Sequence, residues 1–285
     1  MFVETFRNNY DAVKRATFRE RCDCWLDTRR IISEMGPLPP SVKVRFDALR
    51  WPPRDEQMNT MTRIVDADTI DCALSLIAEG FNPAALNHAD DCMPGGCVDI
   101  GSGAQEESLF RRTTLCATLD RQMYPILDDE GIYSPEVVVL KKSEAEGWDL
   151  LEVRPRLGFL TVPGVKYPVC DYGPDLRHGE PTLKKEDARR LSVKVRTMLQ
   201  MAHDHGHDSV VLGASGCGAW KCPPRCVADV FAEVLRECPG AFRAVSFAIL
   251  RSPAAGERKT DDTFHAFVGV APPTPHANIP TCGAQ

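Results

Sequence analysis

Two hydrophobic periods divide the chain into segments. Apolar positions at mixed three- and four-residue spacing predict a helix from about residue 3 to residue 34. The helix is expected to end at the proline-rich stretch Gly36-Pro37-Leu38-Pro39-Pro40. Residues 37–60 are predicted to form an irregular connector wrapped on the domain. Beyond residue 60, short apolar runs alternate with amphipathic stretches. They predict strands at 62–66, 84–89, 137–140, 157–162, 208–212, 244–250 and 264–270, and helices at 70–79, from about 105, at 182–203 and at 225–237.

The order of these segments indicates a layered α/β domain, because strands and helices alternate along the chain. We expect that domain at residues 61–272, a helical N-terminal extension packed on it at 1–60, and a flexible proline-rich tail at 273–285. Asp68 or Thr69 is predicted to cap the helix at 70–79, and Thr182 to cap the long helix after it. The apolar face of the first of these helices is expected to carry Leu74, Ile77 and Ala78.

Composition narrows the functional classes. The residues are 43% hydrophobic and 26% charged, as in an ordinary globular protein, and the formal net charge is −6. That charge argues against general nucleic-acid binding, although backbone amides can hold a compact anion without net positive charge. No run reaches about 18 apolar residues, and the first residues have no signal-peptide core. The twelve cysteines are scattered and are read as reduced thiols. We therefore expect an intracellular protein, cytoplasmic or nuclear, that acts as a monomer and binds no membrane.

The first informative segment follows the strand predicted at 84–89. It contains Pro94-Gly95-Gly96-Cys97 and then Gln105-Glu106-Glu107 at a helix start. Paired glycines let the backbone approach a ligand closely, and a helix start directs free amides at anionic groups. Taken alone, the glycines would form an ordinary turn and the glutamates a solvated helix face. Their conjunction is much rarer than either part.

A second segment repeats the order of strand, glycine loop and helix. It runs from Gly213-Ala214-Ser215-Gly216 to Cys217-Gly218-Ala219-Trp220. A P-loop would need lysine at Ala219, and a nucleophile elbow around Ser215 would need glycine at Cys217. A Rossmann fingerprint is also absent from the sequence. Two such loops at one sheet edge would form a crevice for a diphosphate.

Metal binding is the weaker interpretation of the remaining polar clusters. His203, His205 and His207, taken with the nearby cysteines, match no closed tetrahedral spacing, so we expect neither a metal nor a cofactor. Arg111 and Arg112 can pair equally well with acidic neighbours or with a substrate.

The two loops together resemble the microbial-type poly(ADP-ribose) glycohydrolases, which have the macrodomain fold. The resemblance covers roughly residues 1–270. Its motifs are the segment from Asn87 to Arg112, the Gly213–Trp220 loop with its trailing prolines, and Tyr133-Ser134-Pro135-Glu136-Val137. It implies a three-layer α/β/α macrodomain with a mixed central sheet and a helical N-terminal extension. Two departures are that the family's glycine triplet reads Gly95-Gly96-Cys97 here, and that Trp220 stands where phenylalanine is more usual.

The same resemblance implies the roles of the site residues. Glu107 would be the catalytic acid, and Glu106 and Asn87 would hold the distal ribose. The diphosphate would lie on the amides of the second loop, with the aromatic at 220 near the ribose. The expected substrate-binding set is Asn87, Gly95, Gly96, Cys97, Gln105, Gly213, Ala214, Ser215, Gly216, Cys217, Gly218, Ala219 and Trp220.

Glycosidic cleavage needs a proton for the leaving oxygen and an activated water, and one glutamate can serve both steps in turn. The resemblance therefore predicts hydrolysis of ribose–ribose bonds, with ADP-ribose polymer or ADP-ribosylated protein as the substrate. A non-catalytic ADP-ribose reader with the same pocket is the main alternative. An enzyme that removes single ADP-ribose units from protein or nucleic acid comes next. Glu106 and Glu107 favour catalysis, because a reader needs only the phosphate loops.

Overall fold

A computed structural model describes residues 2–46, 60–172, 181–251, 258–268 and 270, with the backbone alone at 2–16 and 258–262. The predicted tail at 273–285, and most of the connector after residue 46, lie outside these residues. The helices are α1 (Phe2–Ser33), α2 (Thr69–Ala78), α3 (Gln105–Arg112), α4 (Leu115–Thr118), α5 (Lys185–Asp204), α6 (Pro224–Glu237) and α7 (Arg258–Val268). The strands are β1 (Val42–Arg45), β2 (Met61–Val65), β3 (Pro83–Asn87), β4 (Glu130–Val138), β5 (Arg156–Thr161), β6 (Cys170–Asp171), β7 (Thr182–Leu183), β8 (Ser209–Leu212) and β9 (Ala244–Ala248).

A mixed sheet forms the centre of the described chain, in the order β1-β4-β5-β3-β8-β9-β2. Neighbours from β5 to β2 run parallel, whereas β4 is antiparallel to both β5 and β1. β6 and β7 form a separate antiparallel pair. The alternation of strands and helices therefore predicted the α/β class correctly, and the carboxyl ends of five parallel strands share one edge.

Side-chain alternation along the strands produces two cores, one on each face of the sheet. On β3, Ala84 and Leu86 face the core that α5, α6 and α7 cover, whereas Ala85 faces the core of α2, α3 and α4. All three side chains are fully buried. Trp25 of α1 joins the second core. The result is the expected three-layer arrangement. No helix of the described chain has the length and apolar character needed to cross a membrane.

The predicted strand at 264–270 is wrong, because Phe264 and Phe267 lie in α7. Phe267 is fully buried and packs 6.1 Å from the Phe231 ring and 5.2 Å from the Phe247 ring, measured between centroids. The alternation of apolar residues that suggested a strand coexists with a three-residue spacing, and burial of Phe267 between helix and sheet favours the helix.

The connector was also misjudged, since residues 42–45 form β1. Val42 aligns with Tyr133, and Arg45 with Glu130. The strand predicted at 137–140 overlaps only the last two residues of the longer β4, which contains an irregularity between Ser134 and Val137. A polar Ser-Pro-Glu stretch inside β4 hid its first half from the hydrophobic pattern.

The two predicted helix caps had different outcomes. Asp68 caps α2, because its carboxylate accepts from the Ile70 and Asp71 amides. Thr182 does not cap α5, which begins at Lys185 without a side-chain cap; its hydroxyl donates to the Asp171 carbonyl in the β6–β7 pair. The buried face of α2 also differs from the expected one, since Leu74 and Ile77 are only partly buried and Ala78 is exposed. Its buried residues are Thr69, Ile70, Cys72, Ala73 and Leu76.

Candidate active site

Three loops leave the carboxyl ends of neighbouring parallel strands. The first glycine loop, residues 88–104, follows β3 and leads to α3. The second glycine loop, residues 213–223, follows β8 and leads to α6. A bridging loop, residues 162–169, follows β5. Because β5, β3 and β8 are adjacent and parallel, all three loops lie at one edge of the sheet, where α/β proteins place their ligands.

Gln105 ties the start of α3 to the end of β3. Its Oε1 accepts from the His88 amide at 2.9 Å, and its Nε2 donates to the Leu86 carbonyl at 2.7 Å and to the Thr69 hydroxyl at 3.2 Å. Both ends of the carboxamide are used, so the helix start cannot rotate away from the strand. This anchor fixes where the next two side chains emerge.

Glu106 is buried at the junction of β3 and the first glycine loop, with 3% of its surface exposed. Its carboxylate accepts from Asn87 Nδ2 at 3.2 Å and from the Asp90 amide at 2.8 Å. Burial raises the pKa of Glu106 to about 7, against the opposing effect of these hydrogen bonds. A carboxyl group with that pKa is partly protonated at neutral pH, so it can both accept from and donate to sugar hydroxyls.

Glu107 lies against the glycine turn. Its side chain is buried, and Oε1 accepts from the Cys97 amide at 3.0 Å. A Cβ placed on Gly96 would lie 2.9 Å from Glu107 Oε1 and 3.5 Å from Glu106 Oε2, and Gly96 has φ +50°. Both the close approach and the left-handed backbone require glycine there. The two carboxyl groups therefore converge on one turn instead of facing solvent.

The second glycine loop packs against the other two. A Cβ on Gly213 would lie 2.7 Å from His88 Cε1, and one on Gly164 would lie 3.1 Å from the Gly216 amide nitrogen. Gly216 has φ +76° and would place its own Cβ 2.7 Å from Cys222 Sγ. These spacings show that the loops meet backbone to side chain with no room for larger residues.

The remaining candidates of the second glycine loop divide into three groups. Ala214 and Cys217 pack toward the core, and burial raises the pKa of the Cys217 thiol. Gly218 and Ala219 are exposed, so the structure does not bring them against the carboxylates. The ammonium of Lys166, in the bridging loop, lies over the Trp220 ring. Of the first loop, Gly95 packs on the Phe110 ring, and the Cys97 side chain is exposed.

Buried polar atoms without a hydrogen-bonding partner among the described residues gather at this edge. They include Asn87 Oδ1, His88 Nε2, Tyr124 Oη and Ser215 Oγ. Burial lowers the pKa of His88 to about 4, which keeps the imidazole neutral at physiological pH. Burial, followed by the charges of Glu106 and Asp90, raises the pKa of Tyr124. An unpartnered buried polar atom costs about 1–3 kcal/mol, so the cluster suits a polar ligand.

The arginine pair supports the fold. Arg112 is buried and forms ion pairs with Asp68 and, at 2.6 Å, with Asp71. Arg111 is fully buried, and its Nη1 donates to the Ser102 carbonyl at 2.7 Å. Acidic neighbours therefore hold Arg112, and Arg111 holds the end of the first glycine loop.

Helix α1 presses on the same loop. Trp25 Nε1 donates to Asp99 Oδ1 at 2.7 Å, and the Thr28 hydroxyl donates to the Arg111 carbonyl at 2.5 Å. A Cβ on Gly101 would lie 2.4 Å from the Phe18 carbonyl oxygen. The helix thus supports the first glycine loop at Asp99 and Gly101.

Two of the histidines considered as metal ligands contact Tyr133 instead. His205 stacks on the Tyr133 ring with 3.6 Å between centroids, and His207 Nε2 is 2.8 Å from the Tyr133 hydroxyl. Within the described ranges, the residues close enough to share an ion are Asp90, Asp91 and Cys92. The ammonium of Lys166 binds both carboxylates.

Sequence reasoning missed four residues of this edge: His88, Tyr124, Gly164 and Lys166. Both Gly164 and Lys166 follow β5 in the chain: Gly164 belongs to the Pro163-Gly164 stop that the pattern showed, and Lys166 comes two residues later. The missing information was that β5 pairs with β3, because that pairing brings its loop to the glutamates.

The catalytic-domain model of microbial-type PARG, the poly(ADP-ribose) glycohydrolases, matches residues 28–142, a range that includes the first glycine loop and both glutamates. No curated protein matches the chain.

Solved structures extend the similarity over most of the chain. It resembles poly(ADP-ribose) glycohydrolase from Thermomonospora curvata with a TM-score of 0.70 and 28% identity over 89% of this chain and 100% of that one. The same enzyme bound to the inhibitor ADP-HPD gives 0.67 and 28%, over 88% and 99%. The Deinococcus radiodurans enzyme in complex with ADP-ribose gives 0.61 and 26%, over 75% and 84%.

Proposed function

We propose that this chain, which is similar to the microbial-type poly(ADP-ribose) glycohydrolases over residues 28–142 and in its fold, hydrolyses ribose–ribose O-glycosidic bonds of poly(ADP-ribose) and releases ADP-ribose, with Glu107 as general acid and base. One observation supports the assignment most. Glu106 and Glu107 are both buried, and both face the Gly96 turn at the ligand edge of the sheet. A solvated pair of helix-start glutamates would show neither property.

Glu107 delivers a proton to the oxygen that leaves the sugar, and then takes one from the water that attacks it. The hydrogen bond from the Cys97 amide to Oε1 fixes the carboxyl plane, so the other oxygen is directed to the linkage. Positioning of this kind contributes through geometry, because a small displacement of a catalytic group reduces the rate strongly.

Glu106 and Asn87 hold the ribose that carries the scissile bond. Asn87 Nδ2 already donates to the Glu106 carboxylate, and Asn87 Oδ1 has no partner among the described residues. A ribose hydroxyl that donates to this atom would satisfy it. The pKa of Glu106 near 7 lets the same carboxyl group either accept from or donate to a neighbouring hydroxyl.

The second glycine loop binds the diphosphate through its amides. Gly213 and Gly216 supply close approach, the Ser215 hydroxyl is buried without a partner, and Pro224 then begins α6. Amides before a helix start suit a diphosphate without any net positive charge. Trp220 lies beside the sugar at the end of the loop.

We also propose that residues 1–60 act as an extension whose helix supports the catalytic loop, as the Trp25–Asp99 hydrogen bond suggests. We further propose an intracellular location, cytoplasmic or nuclear, in which the scattered cysteines stay reduced. ADP-ribosylated protein is a second substrate class for the same site.

The test compares the protein with Glu107→Gln on ADP-ribose polymer and on singly modified protein, with detection of free ADP-ribose. The variant should bind ADP-ribose within about threefold of the parent but lose about 100-fold or more in rate, the scale for a general acid. Glu233→Gln, at an exposed position of α6, is the matched control and should be fully active.

Turnover retained by Glu107→Gln would reject the catalytic role of that residue. A parent protein that binds ADP-ribose but releases none from polymer would instead indicate the non-catalytic reader.

A further inference from the structure

Lys166 of the bridging loop contacts both glycine loops. Its Nζ lies 2.8 Å from Asp90 Oδ2 and is also hydrogen-bonded to Asp91, both in the first glycine loop. The same ammonium lies 5.2 Å from the centre of the Trp220 ring in the second. A cation within about 6 Å of an indole face is attracted to it. One side chain therefore joins the three loops that frame the site.

The charges around Lys166 bear on an anionic ligand. The amide of Asp90 binds Glu106, so the two aspartates lie at the ribose end of the site. Unpaired carboxylates there would repel a diphosphate. Lys166, Asp90 and Asp91 are 29%, 26% and 37% exposed, so water screens the group only partly and its net charge reaches the neighbouring ligand.

The bridging loop also fixes the aromatic residue. The Tyr167 amide donates to the Trp220 carbonyl at 3.1 Å while the preceding Lys166 sits at the face of the indole. Tyr167 has φ +46°, a backbone conformation that residues other than glycine rarely adopt. Backbone and ring of Trp220 are thus held by two successive residues of one loop.

We propose that Lys166 is a positioning residue that sets the affinity for ADP-ribose units, by offsetting one of the two negative charges of Asp90 and Asp91 and by orienting Trp220, while leaving the rate of bond cleavage largely unchanged. This inference rests on the proposed function and deepens it, because it names the residue that controls binding strength. Lys166 acts through its neighbours and takes no part in proton transfer.

The test uses Lys166→Met, which keeps the aliphatic stem, and Lys166→Arg, which keeps the charge. The dissociation constant for ADP-ribose is measured by calorimetry, and kcat and KM on polymer are measured at low and at moderate salt. Lys166→Met should weaken binding about tenfold and raise KM similarly, with kcat within about threefold. Lys166→Arg should stay within about threefold in both, and the indole emission should shift in Lys166→Met alone.

A double variant separates charge from packing. Asp91→Asn in the Lys166→Met background removes the uncovered carboxylate, and it should recover part of the lost affinity. Asp91 suits this purpose better than Asp90, because the Asp90 carboxylate also accepts from the Cys92 and Met93 amides.

Binding by Lys166→Met as tight as that of the parent would overturn the inference, as would a loss confined to kcat. A double variant that binds no better than Lys166→Met would reject the charge argument. A parent that binds ADP-ribose and yet cleaves no polymer would overturn the hydrolase proposal, while the comparison of dissociation constants would still test Lys166.

Discussion

The two glycine loops lie side by side at one sheet edge, yet they are built by different means. The first is held through hydrogen bonds of side chains: Gln105 anchors its end, Glu106 and Glu107 bind its amides, and Trp25 supports it at Asp99. The second depends on close packing of its glycines, with Gly213 against the His88 side chain and Gly216 against Cys222 and the bridging loop. The first therefore carries titratable groups, and the second presents amides.

Because the two loops are built differently, substitutions in them should affect different kinetic quantities. Changes in the first loop displace carboxyl groups and should alter the rate, whereas changes in the second block the approach of a ligand and should alter affinity. The comparison would fail if both loops responded in the same way.

The largest effect is expected at Gly96. In Gly96→Ala the new Cβ would meet the Glu107 carboxylate at 2.9 Å in a left-handed backbone, so kcat should fall about 1000-fold, within the range for loss of a general acid. Gly80→Ala is the control, since it shares a positive φ of +86° but has nothing within 4 Å. Steady-state kinetics on polymer measure both. An equal loss in the two variants would assign the effect to backbone strain alone.

The next effect concerns pH and stability. Because burial raises the pKa of Glu106 from 4.5 to about 7, the folded state holds the proton more tightly than the unfolded state. The stabilisation that Glu106 adds to the free energy of unfolding is therefore complete below about pH 4.5. It is lost as pH rises through 7, a change on the order of 3 kcal/mol.

Glu106→Gln should remove that slope, and denaturant unfolding between pH 4.5 and 8 measures it. The two proteins are compared by the change in unfolding free energy over this interval, since the variant also loses hydrogen bonds. A slope that persists in the variant would assign it to another group.

A smaller effect is expected in the second loop. Gly216→Ala would place a Cβ 2.7 Å from Cys222 Sγ with φ +76°, which should weaken ADP-ribose binding about tenfold with little change in kcat. Adding Cys222→Ala removes the sulfur and should restore part of the affinity, as measured by calorimetry. A loss of kcat instead would show that the two loops are not functionally separate.

The smallest effect is expected at the hydrogen bond between Trp25 of α1 and Asp99 of the first glycine loop. Trp25→Phe loses the hydrogen bond to Asp99, which should cost about 1 kcal/mol of unfolding free energy and a few-fold in kcat at unchanged KM. Asp99→Asn keeps an acceptor and should be milder. Thermal unfolding and steady-state kinetics together test this prediction. An unchanged kcat in Trp25→Phe would show that support by α1 does not affect catalysis.

Sequence reasoning reached the parts of the site that local pattern determines. The Gln105 helix start and the ends of β3 and β8 follow from glycine spacing and hydrophobic runs, so the two loops were predictable. Lys166 was not, because its place depends on the pairing of β5 with β3 across more than 70 residues. Residues 264–268 were misassigned because burial of Phe267 against distant elements decided between two periods that the local sequence allowed. Val42–Arg45 were missed because this largely exposed strand is defined by its pairing with β4, far along the chain.

Cys97 combines two properties. Its amide donates to Glu107, while its thiol is exposed at the rim of the site, at a position where the resemblance to the family implies glycine. An ADP-ribose analogue that carries a mild electrophile would therefore meet an exposed thiol at this position. Cys97 thus offers a point of covalent attachment beside the proposed catalytic carboxylate.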